Sequence, residues 1–241
     1  MPPSSSTGQA SSLVAPEGGR DEEAERLWRR VLDAHGGAHR WNEIRSIEAR
    51  LSCTGLLFSA KGRPPLRDVS VTASTSETFS SIRGPYGAHR VGRWWGDEQV
   101  QNVDDDGRVI EQRSAPRRAL RGLWKRVRWD ELDMLYFAGY ALWNYLNTPF
   151  LMCRAGVRLR WLPDDPRGLA RLLVSFPPDV PTHSADQIFH IEPSGEIARH
   201  VYTADVVGAW ARVAHDYGAY QRTGGIAYPS RRLVRPMLGP W

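Results

Sequence analysis

The stretch Trp129–Cys153 (WDELDMLYFAGYALWNYLNTPFLMC) constrains this chain more than any other. It is one long apolar, aromatic-rich run among short strand-like segments, and its length approaches that of a membrane span. Asp130, Glu131, Asp133, Asn144 and Asn147 are spread through it, however, and Pro149 breaks it. It therefore reads as a buried helix followed by an apolar turn, with no stable membrane insertion. On a helix, Leu135, Gly139, Leu142 and Leu146 share one side. Met134, Phe137, Tyr140, Ala141 and Tyr145 cover the rest, so the helix is apolar nearly all round and must be buried on several sides. Two readings follow: a core helix, or a lid whose inner face lines a ligand pocket. As a lid, it would offer Tyr136, Tyr140, Trp143 and Tyr145 as amphipathic contacts. Asn144 and Asn147 either cap backbone groups or orient a polar group of the ligand, because buried amides need partners.

The flanking sequence gives that helix something to lie on. DEEAERLWRRVLDAHGG starts acidic and ends on Gly36-Gly37, which predicts an N-terminal helix. AHRWNEIRS predicts a second short helical turn. IEARLSCTGLLFSAKG alternates well enough for one long strand. DVSVTAS, ETFSSI and HRVGRWW follow as short strands, and DEQVQNVDDDGRVIEQR as a hairpin turning at Asp106-Gly107. After the apolar helix come GVRLRWL, GLARLLVSF, DQIFHIE, EIARHVYTADVV, WARVAHDYGAY and GIAYPSRRLV. The helices are too few for βαβ repeats. The expected fold is mainly β (α+β): one strongly curved antiparallel sheet forming a half-open β-barrel. The N-terminal and central helices pack in its concave side. Residues 1–20 are Ser-, Pro- and Gly-rich and read as a disordered tail; 21–241 reads as a single domain.

Charge and cysteine usage narrow the partners. The net charge is +5, and all but Lys61 and Lys125 of the 32 basic residues are arginine. The densest basic run is Arg113–Arg128. It lacks a recognition-helix pattern, so no nucleic acid partner is expected; anionic head groups or an acidic ligand suit it better. Trp94-Trp95 marks a contact if exposed and core if buried. Cys53 and Cys153 lie in apolar surroundings and read as buried free thiols, which suits a reducing compartment. Residues 1–20 have no secretory signal, so the expected location is cytoplasmic.

Candidate chemistry centres on histidine. His183, His190, His200 and His215 all fall in the last strands. With a simple hairpin at Pro193-Ser194-Gly195, residue 188 would face 200 and 190 would face 198, placing His190 and His200 on one face. No HxH or HxxxH spacing assembles three ligands, so no metal is expected. Histidine titrates near neutral pH and suits proton transfer. His183 and His215, with Asp205 ending a nearby strand, are the proton-moving candidates. There is no GxSxG elbow, so nucleophilic catalysis is not expected, and with no phosphate-cradling glycine loop no cofactor is expected.

LWRRVLDAHGGAHRWNEIRSIEARLSCTG resembles the opening of the outer-membrane lipoprotein carrier superfamily (the LolA and LppX type). The shared features are a helix, a Gly-Gly stop, a short second helix with an aromatic, and a strand starting at IRSI. IFHIEPSGEIARHVY is similar to its paired strands around a short polar turn. DELDMLYFAGYALWNYLNTPF, FPPDVPTHSADQIFHI and GGIAYPSRR look like a group of soluble bacterial proteins of uncharacterised function. The resemblance implies an unclosed β-barrel with helices filling its mouth, which holds lipid or another hydrophobic molecule. Carriers of this type are exported, so the missing signal sets lipoprotein trafficking apart from what is implied. Two functions are therefore carried forward. One is binding of a hydrophobic small molecule or lipid between sheet and central helix, with His190 and His200 lining the site beside the helix residues. The alternative is a cofactor-independent cyclase- or isomerase-type enzyme using His183, His215 and Asp205 in the same cavity.

Overall fold

Alternation and turn glycines organise most of the chain. The computed structural model describes residues 22–85 and 87–237; the tail expected at 1–20 lies outside them. Helix α1 (Glu22–Ala34) carries Glu22, Glu23 and Glu25 in its first turn, where acids meet the positive helix end, and buries Leu27, Trp28, Val31 and Leu32. A short α2 (Ala38–Asn42) follows the Gly36-Gly37 stop. Strand β1 (Ser46–Cys53) is shorter than expected. Gly55 takes φ 148, a conformation closed to residues with a Cβ, and LLFSA turns into α3 (Leu56–Ala60). Strands β2 (Leu66–Ser74), β3 (Phe79–Gly84), β4 (Gly87–Trp95), β5 (Gln99–Asp104) and β6 (Val109–Ser114) then run as an antiparallel meander. The turn between β5 and β6 places Gly107 at φ 80, as Asp-Gly pairs favour.

The basic connector forms α4 (Pro116–Ala119) and one 3-10 turn (Leu123–Arg126) before α5 (Glu131–Asn147). Beyond it, β7 (Arg158–Leu162), β8 (Ala170–Ser175), β9 (Asp186–Ile191), β10 (Ile197–Thr203), β11 (Arg212–Thr223) and β12 (Ile226–Pro236) form a second antiparallel meander. The protein is thus mainly β, but its hydrogen bonding gives two six-stranded sheets, β1–β6 and β7–β12, in place of the one continuous sheet expected. The break falls where the chain leaves strand geometry for α4 and α5. No described helix is long and apolar enough to cross a membrane.

α5 packs against β2–β6 on one side. Its contact there is close because Gly139 has no side chain: a Cβ would sit 2.6 Å from Trp94 Cβ. On its other side, Tyr140 and Tyr145 reach the β8–β9 loop and β10. One apolar core runs through both sheets, α1 and α5. α5 is a core helix: Tyr136, Tyr140 and Trp143 are 0% exposed, so no space the size of a water molecule touches them. Trp94 is buried with them, whereas Trp95 is half-buried. Both cysteines are free thiols; Cys153 is buried as expected, but Cys53, the last residue of β1, is exposed.

The start of α5 is anchored by charge. Asp130 and Asp133 form a reciprocal capping box, each side chain accepting from the other's backbone N–H. Arg113 and Lys125 donate to both carboxylates, the Asp133 side chain being fully buried. Burial alone would raise Asp130, but the bonds from Arg113 and Lys125 prevail and hold it well below the usual carboxylate range.

Candidate functional site: a buried histidine–tyrosine network

His183 sits in the loop between β8 and β9, facing α5, and is 1% exposed. Its Nδ1 lies 3.0 Å from the Tyr140 hydroxyl and its Nε2 2.8 Å from that of Tyr145. The Tyr145 hydroxyl lies 2.8 Å from that of Tyr202, and the His183 ring stacks flat on Tyr202 at 4.1 Å. A neutral imidazole has one N–H and one lone pair, so it donates to one tyrosine and accepts from the other. Burial, aided by the nearby Arg117 charge, lowers the His183 pKa to about 3. Burial also pushes the Tyr140 and Tyr145 hydroxyls well above their ordinary value. At neutral pH the chain Tyr140–His183–Tyr145–Tyr202 is therefore uncharged.

β10 and β11 extend this network. His200 pairs directly across from His215, and their rings lie 6.3 Å apart. His200 stacks on Phe189 at 4.2 Å, and its Nε2 donates to Gln187 Oε1 at 2.5 Å. His215 meets the rings of Tyr145 and Tyr217 edge to face. From β12, the Arg232 guanidinium lies 4.2 Å over Tyr217 and 5.3 Å over Tyr145 and donates to the Tyr145 carbonyl. Burial is the main cause lowering both histidines; the Arg232 charge adds to it.

Arg117 connects this interior to the surface. It donates to the Tyr136 hydroxyl at 3.1 Å and to the carbonyl of Thr182, the residue before His183. Tyr136 in turn donates to Asp97 Oδ1. Asp205 stands exposed at the rim and donates its backbone N–H to the His183 carbonyl. Partial burial pushes its carboxyl up, and Arg117 draws it back. Outside Arg117 opens a shallow cavity of about 350 Å³ lined by Asp97, Ala115, Arg117, Arg118 and Arg121. Another cavity, of about 430 Å³, lies between Phe79, Arg83, Arg93 and Trp95 on β3 and β4. It has no tie to the buried network, so the arginine-lined cavity is the stronger candidate.

The structure brings Tyr136, Tyr140, Tyr145, His183, His200 and His215 into one network, with Asp205 at its edge. It sets four other expected site residues apart. Trp143 faces β2 and the β2–β3 turn, its indole N–H donating to the Ser74 and Glu77 carbonyls. Asn144 donates to the Tyr140 and Pro181 carbonyls, and Asn147 to those of Trp143 and Ser74. Their amides cap backbone. His190 leaves the network through a register shift. Ile197 pairs with Ile191, but the next partner of the strand is Arg199 with His190, so Ala198 is bulged. His200 therefore opposes Phe189, and His190 points to the other face, where its Nδ1 lies 3.0 Å from Asp165.

Arg117, Asp97, Tyr202, Tyr217 and Arg232 were not foreseen. A signal for two of them is present: the His-x-Tyr spacing of His200 and Tyr202 on β10, and of His215 and Tyr217 on β11, puts each pair on one face of its strand, and the register of His200 opposite His215 brings the two pairs to the same face. Among the described residues, no three or more of His, Cys, Asp and Glu converge in metal-binding geometry. Comparison with protein-family models, curated proteins and solved structures returns no match to this chain. What the site does is therefore read from its own geometry. Chemically, it offers guanidinium groups at a surface cavity, backed by a dry, neutral hydrogen-bonded chain.

Proposed function

We propose that this protein binds a hydrophobic small molecule or lipid that carries an acidic head group. The observation behind this reading is the arginine-lined cavity whose innermost residue, Arg117, is wired to the buried tyrosines. Arg117 and its neighbours Arg118 and Arg121 supply planar donors suited to a carboxylate or phosphate, with Asp97 the cavity's single acid. The apolar part of the ligand packs on Ala115 and the aliphatic stems of the lining arginines. Deeper entry would need α5 to part from β10–β12, because the space between them is filled by rings. On this reading the two sheets and α5 form an open, barrel-like frame of the lipoprotein-carrier type. Proton-transfer catalysis is less favoured, because both ring nitrogens of His183 are engaged and His215 is 1% exposed.

Calorimetric titration with oleate, and with its neutral methyl ester, tests the proposal. Oleate should bind, the ester should bind more weakly, and Arg117→Ala should weaken oleate by about tenfold or more, the worth of a charge-assisted bond. Equal affinity of oleate for wild type and variant would sink this reading.

A further inference from the structure

The basic connector carries a second feature that the cavity does not use. Trp124 is 84% exposed and Val127 66% exposed. Trp28, Trp41, Trp94, Trp129 and Trp143 are buried, and Trp210, outside this segment, is the other strongly exposed tryptophan among the described residues. The outward position of Trp124 is built into the fold. Pro116, Leu120 and Trp129 are buried on either side of it, and Lys125 is tied to Asp130 and Asp133. The Trp129 N–H donates to the Lys61 carbonyl at the end of α3, and Lys61 Nζ donates back to the Lys125 carbonyl. These bonds hold α3, with Leu56 79% exposed, against the same segment.

Cations share the segment with the exposed Trp124 and Val127. Arg118, Arg121 and Arg128 are exposed and form no ion pair among the described residues. The nearby acids already have cationic partners: Asp130 and Asp133 pair with Arg113 and Lys125, Glu131 with Arg63 and Arg90, and Asp97 with Arg117 at 4.0 Å. An amphipathic indole and small aliphatic groups together with unpaired guanidiniums match the chemistry of an anionic bilayer surface. A nucleic acid would use the arginines but has little use for Val127 and Leu56.

We propose that Pro116–Arg128, with Leu56, is a peripheral docking surface for anionic phospholipid membranes. Trp124 and Val127 enter the head-group layer, while Arg118, Arg121 and Arg128 engage lipid phosphates. Arg118 and Arg121 serve both the cavity and the docking surface, so the two readings are separated at Trp124, Val127 and Arg128, which do not line the cavity.

Vesicle flotation of the full chain tests it, with phosphatidylcholine vesicles prepared with and without phosphatidylglycerol, at low and high salt. Binding should require phosphatidylglycerol and weaken with salt. Trp124→Ala with Val127→Ser should lose about tenfold or more in vesicle affinity, and Arg128→Gln a few fold, at about 1 kcal/mol per interfacial cation. All three positions are exposed, so thermal unfolding should not change, and oleate affinity should hold. Equal binding to neutral vesicles, or undiminished binding by the Trp124/Val127 variant, would overturn the proposal. So would a preference for single-stranded DNA that survives Trp124→Ala.

Discussion

His183 shows how burial decides what a titratable residue does. Its ordinary pKa is about 6.5, but in the fold it falls to about 3. Burial lowers His35 in the same way, to about 4. Below pH 6.5 the unfolded chain therefore binds protons that the folded chain refuses. Stability is complete above pH 6.5 and is lost as pH falls toward the folded values, with a slope of up to about 1.4 kcal/mol per pH unit for each such histidine. Urea unfolding at pH 7 and pH 5 should differ by at least about 2 kcal/mol, and His183→Gln should reduce that difference. At pH 7, His183→Ala should cost about 2–4 kcal/mol, because it strands the Tyr140 and Tyr145 hydroxyls and opens a gap beside Tyr202. A flat stability curve from pH 7 to 5 would show that these rings are not held neutral. The residue types at the site were legible in the sequence, since His183, His200, His215, Tyr136, Tyr140 and Tyr145 all stood out. Arg117 did not stand out, because one arginine among many carries no local mark of its contacts.

Elements followed local chemistry where turns were unambiguous. The Asp106-Gly107 hairpin, the Gly36-Gly37 stop and the start of α5 all lie where turn and cap chemistry places them. Reading failed where one residue redirected the backbone: Gly55 ended β1 early, and bulged Ala198 turned His190 to the opposite face. Two substitutions probe the elements. Gly139→Ala would drive a Cβ into buried Trp94, which cannot move, and should cost about 1–3 kcal/mol in chemical denaturation. Asp133→Ala would leave Arg113 and Lys125 half-buried with Asp130 alone and should cost about 2–4 kcal/mol. If Asp133→Ala unfolds at the same denaturant concentration as wild type, the cap network contributes nothing to α5.

At the scale of the whole molecule, α5 lies between two sheets and joins them into one core. Replacing Tyr145, which touches His183, Tyr202, His215 and Arg232, should therefore loosen both sheets together. Tyr145→Ala should lower the midpoint of a single cooperative transition seen by near- and far-ultraviolet circular dichroism. Separate transitions would mean the sheets fold independently. By itself, the sequence determined the mainly β class, the order of the strands around the two long helices, and the burial of Trp129–Cys153, because these depend on periodicity, turn residues and apolar content within a few residues. Only the tertiary structure decided that the strands form two sheets and that α5 is core with its aromatic rings packed. It also decided that the histidines meet the tyrosines while Asn144 and Asn147 cap backbone. These outcomes depend on which distant groups meet at contact distance, and that is set by strand register and close packing, where a single bulge or a missing Cβ changes the partner.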